Sequence, residues 1–281
     1  MGANTRGSLI AATVTLVFVT AAVMASPAQE NPQQLVKETV YNELHADKHP
    51  NYWMYRDNDM EHGTTKLRRI VQTPQCWFRW PLATNGQPLT PEQKKAQEED
   101  MRRLVSDPAA RRKNRAELDQ DAGKAKDLME MLPDAFLYTA DGEQDGNIRL
   151  KFRPNPQFTP PTRSARVFHN MEGTLLINKR EKRLAGMSGT LMQNVDFGWG
   201  VLGKLYKGGT FKVQQTEVAP NDWEVTLLDV HMRGRALFFH SISEQQHEVE
   251  SDFQPVPANI TLAKAAELAE HGTENTSAAA K

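Results

Sequence analysis

The chain has 281 residues, with 34 Lys and Arg against 35 Asp and Glu, a net charge of −1 at pH 7. That balance excludes the basic footprint of a nucleic-acid-binding protein. The single cysteine, Cys76, excludes an internal disulfide framework, so the fold must rest on an apolar core.

The N-terminus reads as a secretory leader. Arg6 supplies positive charge, and residues 9–24 carry none. Val23-Met24-Ala25 offers a cleavage site after residue 25, with Ser26-Pro27-Ala28 as a second option. The run is short for a membrane span, which takes about 20 apolar residues; an uncleaved anchor is the alternative. No cysteine follows it to carry a lipid. A periplasmic or secreted protein is therefore expected, with a signal peptide at 1–25, one domain at 26–260, and a short helix and disordered tail at 261–281.

Asn31-Pro32-Gln33-Gln34 predicts a helix start, with Asn as N-cap, Pro at the first position and Gln34 reaching back. Val36, Val40 and Leu44, widened by Leu35 and Tyr41, form its apolar stripe to about Ala46. Residues 52–56 and 64–73 predict strands around a polar turn at Asp57-Asn58-Asp59. Residues 76–82 predict a third strand, with Cys76 as a buried small hydrophobe rather than a nucleophile. Tyr52-Trp53-Met54-Tyr55 is apolar on both faces, so that strand is expected to be covered on both sides.

Thr90-Pro91-Glu92-Gln93 predicts a capping box opening a helix to about Val105. Ser106-Asp107-Pro108 caps another, expected to stop at Leu132 before Pro133. Residues 92–130 hold ten basic and ten acidic side chains. The seam Leu118, Ala122, Ala125, Met129, Leu132 is narrow and packs lightly. Residues 92–132 therefore read as a solvated helical insert, with a partner-binding arm as the alternative.

Alternation then predicts strands at 135–139, 147–153, 163–170, 173–178, 183–195, 210–218, 223–232 and 235–243. Turns are expected at Asp141-Gly142, Asp145-Gly146, residues 178–182, Pro220-Asn221-Asp222 and Arg233-Gly234. Phe253 to Pro257 reads as a last extended piece, and residues 262–269 as a helix. About eleven strands are too many for a small flat sheet. The expectation is an α+β, β-rich fold: a strongly curved antiparallel sheet, an unclosed β-barrel, with an N-terminal plug helix and an inserted charged helical segment.

The leader, the 35–44 helix, the paired early strands and the hairpin Gly173-Thr174-Leu175-Leu176-Ile177-Asn178-Lys179-Arg180-Glu181-Lys182-Arg183-Leu184 together resemble the periplasmic outer-membrane lipoprotein-sorting (LolA-like) proteins. The likeness spans residues 32–80 and 137–253, and 196–253 resembles an uncharacterised secreted bacterial group of that architecture. It implies an unclosed barrel around a helical plug, with an apolar cavity for acyl chains. The insert at 92–132 departs from the simple carriers. No binding motif of that family is specific enough to carry over.

Motifs for catalysis or metal are weak. Asp141-x-Glu143-x-Asp145-Gly146 imitates a calcium loop but has Phe152 where a bidentate Glu belongs. Asp57-x-Asp59-x-Glu61 has His62 for the glycine and Arg68 for the final Glu. His45 and His49 stand at a fraying helix end, and His231, His240 and His247 lack ligand spacing. Gly186-Met187-Ser188-Gly189 is not a nucleophile elbow. No cofactor or metal is expected, and no enzyme. The remaining signal is the glycine-rich yet apolar loop 198–209. Trp199, Val201, Leu202, Leu205 and Tyr206 need a dry place there. They either cap the barrel as core or form the mouth of a ligand cavity. The expected function is binding of a lipid, acyl chain or lipoprotein anchor, with membrane-surface contact as a possible corollary. The alternative is an envelope scaffold or sensor with a filled core, which binds a protein partner through the insert.

Overall fold

A computed structural model describes residues 30–46, 51–162, 164–197, 203–236 and 240–273. The expected leader, His49, and Trp199, Val201 and Leu202 lie outside them. The chain divides into Met1–Glu30 and Asn31–Lys281, and the description concerns the second unit.

Among the described residues every strand pair is antiparallel, and together the strands form one 13-stranded sheet that does not close into a barrel. In chain order the strands are β1 Tyr52–Glu61, β2 Thr64–Gln72, β3 Trp77–Thr84, β4 Gln87–Pro88, β5 Phe136–Gln144, β6 Asn147–Pro154, β7 Met171–Asn178, β8 Leu184–Leu191, β9 Val195–Phe197, β10 Gly203–Leu205, β11 Thr210–Ala219, β12 Asp222–Ala236 and β13 His240–Val256. Their spatial order is β4-β3-β2-β1-β13-β12-β11-β8-β7-β6-β5, with β10 pairing β12 and β9. The first and last strands of the chain thus zip together in mid-sheet.

Among the described residues four α-helices cover the sheet: α1 Pro32–His45, α2 Pro91–Ser106, α3 Pro108–Ala135 and α4 Leu262–His271. Asn31 caps α1 by accepting from the backbone N–H of Gln33 and Gln34. The glutamine that reaches across is Gln33, whose amide donates to the carbonyls of Phe136, at 3.2 Å, and Pro133. Leu35, Val36 and Val40 are buried as the stripe requires. Tyr41 is not: it is 61% exposed and stacks on His45 instead. Thr90 and Gln93 form the expected capping box of α2.

Alternation along the paired strands divides the sheet into two faces. On one, α2 and α4 cover Met54, Val71, Phe78, Trp80 and Val256, with Cys76 fully buried among them. On the other, α1 and the end of α3 pack over β5 to β8 through Leu35, Val36, Val40, Phe136, Phe152, Leu175 and Ile177. This second face also carries Trp53, Tyr55 and Ile70. So β1 is covered on both sides. Val218 and Ala219 of β11 pack against that trio, although β12 and β13 stand between. A flat sheet would hold β11 and β1 about 14 Å apart at about 4.8 Å per strand. The sheet therefore curves with the α1 face inside.

Several boundaries differ from expectation. Asp57-Asn58-Asp59 is strand, not turn, and the chain reverses at His62-Gly63. Asp141-Gly142 is a bulge in β5. Residues 164–170 form a 3-10 helix rather than a strand, because Ala165 and Phe168, three apart, both drop into the core. The 183–195 run breaks into β8 and β9. Pro133 sits inside the last turn of α3, which continues to Ala135. Arg233-Gly234 lies within β12. Gly234 is there for close approach: a Cβ on it would lie 2.4 Å from the Lys204 carbonyl of β10. Part of the glycine-rich loop, Gly203–Leu205, is itself strand.

Gly173 is tighter still, since a Cβ there would lie 1.9 Å from the Ser188 carbonyl and 2.8 Å from the Phe152 ring. Gly173→Ala should cost about 3 kcal/mol, the upper end of overpacking. Urea denaturation measures it; a loss below about 1 kcal/mol would show slack between β7 and β8.

Candidate ligand-binding face

Of the expected mouth residues, two fall within the described residues. Leu205 is half-buried in β10 against Gly234, and Tyr206 is 39% exposed beside it. The Tyr206 N–H donates to the Arg233 carbonyl. Nothing brings them to a ligand cavity among the described residues.

The inner face of the curve holds more. From β5 to β8 it is filled by α1. Beyond α1, on β11 and β12, it continues as an apolar strip of Phe211, Val213, Leu228, Val230 and Met232, all only half-buried. Register sets Phe211 across from Val230 and Val213 across from Leu228. One strand further, the face turns acidic. Glu248 stands across from Leu228 on one side and from Asp59 on the other, and Glu250 across from Asp57.

Asp57 and Asp59 follow Tyr55 at the strand period, so all three point inward. Both carboxylates are buried, at 3% and 5% exposure. Arg68, opposite on β2, joins them: its Nε donates to Asp57 Oδ2 at 2.7 Å and its Nη2 to Asp59 Oδ2 at 3.0 Å. Their other oxygens, Oδ1 of Asp57 and Oδ1 of Asp59, accept from no N–H among the described residues. A buried acceptor left unmet costs free energy, so such atoms mark places that need a donor.

The cluster holds its protons unusually well. Burial raises the Asp57 carboxyl against the pull of Arg68. Burial and the Asp57 and Asp59 charges push Glu248 up to about 7, helped by a hydrogen bond to Asp57. Glu250 rises to about 8 through burial and the charges of Glu248, Asp57 and Glu224, while its bond with Tyr55 pulls it down. Glu224 of β12 rises to about 7 through burial and nearby Asp222. Burial and the same carboxylates raise the Tyr55 hydroxyl as well. Arg79, stacked over Trp77, is the other cation acting on Tyr55 and Asp57.

The sequence signal for this cluster was present but disguised. Tyr55-x-Asp57-x-Asp59 and Glu248-x-Glu250 alternate as strands do, yet their polarity reads as turn or solvated edge. The Asp57-x-Asp59 motif is strand rather than a calcium loop, and Arg68 holds one oxygen of each carboxylate. Asp141 is engaged by Arg149 and Lys151. His231 and His247, expected to be scattered, both meet Asp229, at 3.3 and 2.9 Å. Among the described residues no group of three or more His, Cys, Asp or Glu is arranged to hold a metal ion.

On the outer face a groove of about 670 Å³ runs between α2 and α4, lined by Met101, Val105 and Ala266 and edged by charges of both signs. The insert itself is solvated. Of its expected seam only Leu132 is buried, Ala122 and Ala125 are exposed, and ion pairs such as Arg115–Asp119 and Lys126–Glu130 lie along it.

No family model matches this chain, and no curated protein matches it.

Proposed function

We propose that this is an exported, non-catalytic binding protein that holds a lipid, an acyl chain or a lipoprotein anchor against the inner face of its curved sheet. One observation carries the reading. The strip Phe211, Val213, Leu228, Val230, Met232 is apolar, lies inside the curve, and stays half-exposed beyond the edge of α1. Core residues are normally covered, and contiguous apolar surface in a concavity is where a chain-like ligand gains most from leaving water.

The leader at residues 1–25 supplies the route to the envelope, where such ligands are found. Chain and strip both run along the strands, so about ten methylenes would span a strip of this length. The α1 helix plugs one end of the face and the carboxylates bound the other.

Protein purified from the periplasm of a host expressing the full chain is expected to carry lipid in native mass spectra, and after delipidation to enhance the fluorescence of a bound acyl probe. Val230→Asp should abolish the enhancement without unfolding the sheet, because the site is half-open to water. Delipidated protein that neither binds the probe nor reacquires lipid would sink the reading.

A further inference from the structure

The acidic end of the inner face has no role in holding an apolar chain, and its cost to the fold asks for one. We propose that Asp57, Asp59, Glu248 and Glu250 bind the ammonium head of an alkylammonium ligand whose chain lies along Leu228, Val230 and Phe211. This rests on the apolar-strip reading above and adds the head-group chemistry to it.

Three observations carry it. The first is a pair of buried acceptors, Asp57 Oδ1 and Asp59 Oδ1, that no N–H of the described residues meets. Both belong to side chains more than nine-tenths buried, on the inward side of β1. An ammonium group brings three N–H donors and no acceptor, which is what such oxygens lack. Its contacts, at about 2.8 Å, are charge-assisted and strong.

The second is charge. Asp57 and Asp59 of β1, Glu248 and Glu250 of β13 and Glu224 of β12 share this face. Against them stand Arg68 and Lys66 of β2, the latter across from Asp59, and Arg79 of β3. Arg183, near Glu224, is committed to Glu43 of α1 through paired hydrogen bonds of 2.8 and 3.0 Å. With its glutamates ionised the cluster carries a surplus of negative charge that an incoming cation would balance. A metal ion is a poor fit, since no three ligands gather closely enough among the described residues.

The third is adjacency. Register places Glu248 next to Leu228 and Gln246 next to Val230. Head and chain therefore fall on neighbouring strands, about 5 Å apart. In the free protein, protons on Glu248, Glu250 and Glu224 stand in for the missing cation. Binding of an ammonium ion displaces them into solvent: the carboxyl O–H bonds break, their protons pass to water or buffer, and N–H···O contacts to the resulting carboxylates replace O–H···O contacts.

The test compares dodecylammonium with dodecanol, each below its aggregation limit, by calorimetry on the full chain at pH 8.5 and pH 5.5. Dodecylammonium is expected to bind about tenfold or more tightly than dodecanol at pH 8.5, the size of one charge-assisted hydrogen bond. At pH 5.5 the preference should vanish, and at pH 7.5 buffers of different ionisation heat should report proton release. Glu248→Gln with Glu250→Gln should abolish the preference at pH 8.5 while leaving dodecanol binding intact. Equal binding of the two probes at both pH values overturns the head-group site and leaves the apolar strip standing. If neither probe binds, the apolar-strip reading falls. Butylammonium titrated onto 15N-labelled protein then decides the head-group site alone. Shifts in β1 and β13 that vanish at pH 5.5 support it, and their absence overturns it.

Discussion

Replacing Arg68 with methionine is expected to destabilise the protein by about 3–5 kcal/mol at pH 8.5, the cost of stranding buried charges. Methionine keeps the volume and the apolar stem, so the loss is electrostatic. Arg68 is the only cation hydrogen-bonded to Asp57 and Asp59 among the described residues, and it holds one oxygen of each. Without it, two carboxylates less than a tenth exposed face Glu248 and Glu250 with no counter-charge in contact. The same substitution should cost much less at pH 5.5. There Glu248, Glu250 and Glu224 lie below their raised folded values of about 7, 8 and 7 and are neutral. Urea denaturation at the two pH values checks the difference. An equal loss at both would mean that Arg68 acts through packing alone.

The wild-type protein should show the matching trend. A carboxyl whose folded value is raised contributes stability that is full below its unfolded value and lost as pH rises through the folded one. For these three glutamates the window runs from about 4.5 to about 8. The cluster's contribution therefore declines across neutrality and is gone above it. A protein that builds this into its inner face forgoes stability at neutral pH, which is understandable where those carboxylates serve a ligand.

The parts of the fold that were legible in the sequence are those governed by local chemistry. Asn31-Pro32 and Thr90-Pro91 cap their helices as such pairs do, and the 173–191 hairpin follows its polar turn. The errors came where tertiary contacts reverse a local preference. Asp57 and Asp59 read as a turn because carboxylates avoid strands, yet Arg68 on the next strand makes them buried strand residues. Gly234 read as a turn because glycine usually marks one, yet β10 packs against its bare Cα. Asn85-Gly86, a strong hairpin signal, turns β3 into β4. The site was harder still. Its members come from β1, β2, β12 and β13, and only the pairing of β1 with β13 brings residues 57–59 beside residues 248–250. No local pattern predicts that closure of the chain's two ends.

Leu35→Ala in α1 carries the second large effect. Leu35 is 1% exposed in the core shared by α1, α3 and β5 to β8, so truncating it should cost about 2–5 kcal/mol. What matters for function is how the loss is distributed. α1 is fastened at its C-terminal end by Glu43 to Arg183 and to the Leu184 N–H, and by Asn42 to the carbonyls of Glu181 and Lys182. At its N-terminal end Gln33 bonds Phe136. Between these latches sit Leu35, Val36, Val40 and Thr39, whose buried hydroxyl has no partner. An unmet hydroxyl inside the seam weakens it relative to an apolar side chain of the same shape. The helix is thus held by polar ends around an imperfect middle, the arrangement of a cover that lifts more easily than the sheet beneath it unfolds. In the Leu35→Ala variant, hydrogen exchange in α1 should accelerate at denaturant concentrations where β7, β8 and β11 remain protected, and an apolar dye should bind before the main transition. If α1 and those strands lose protection together, α1 is an ordinary core helix, and any ligand must enter over the half-exposed strip alone.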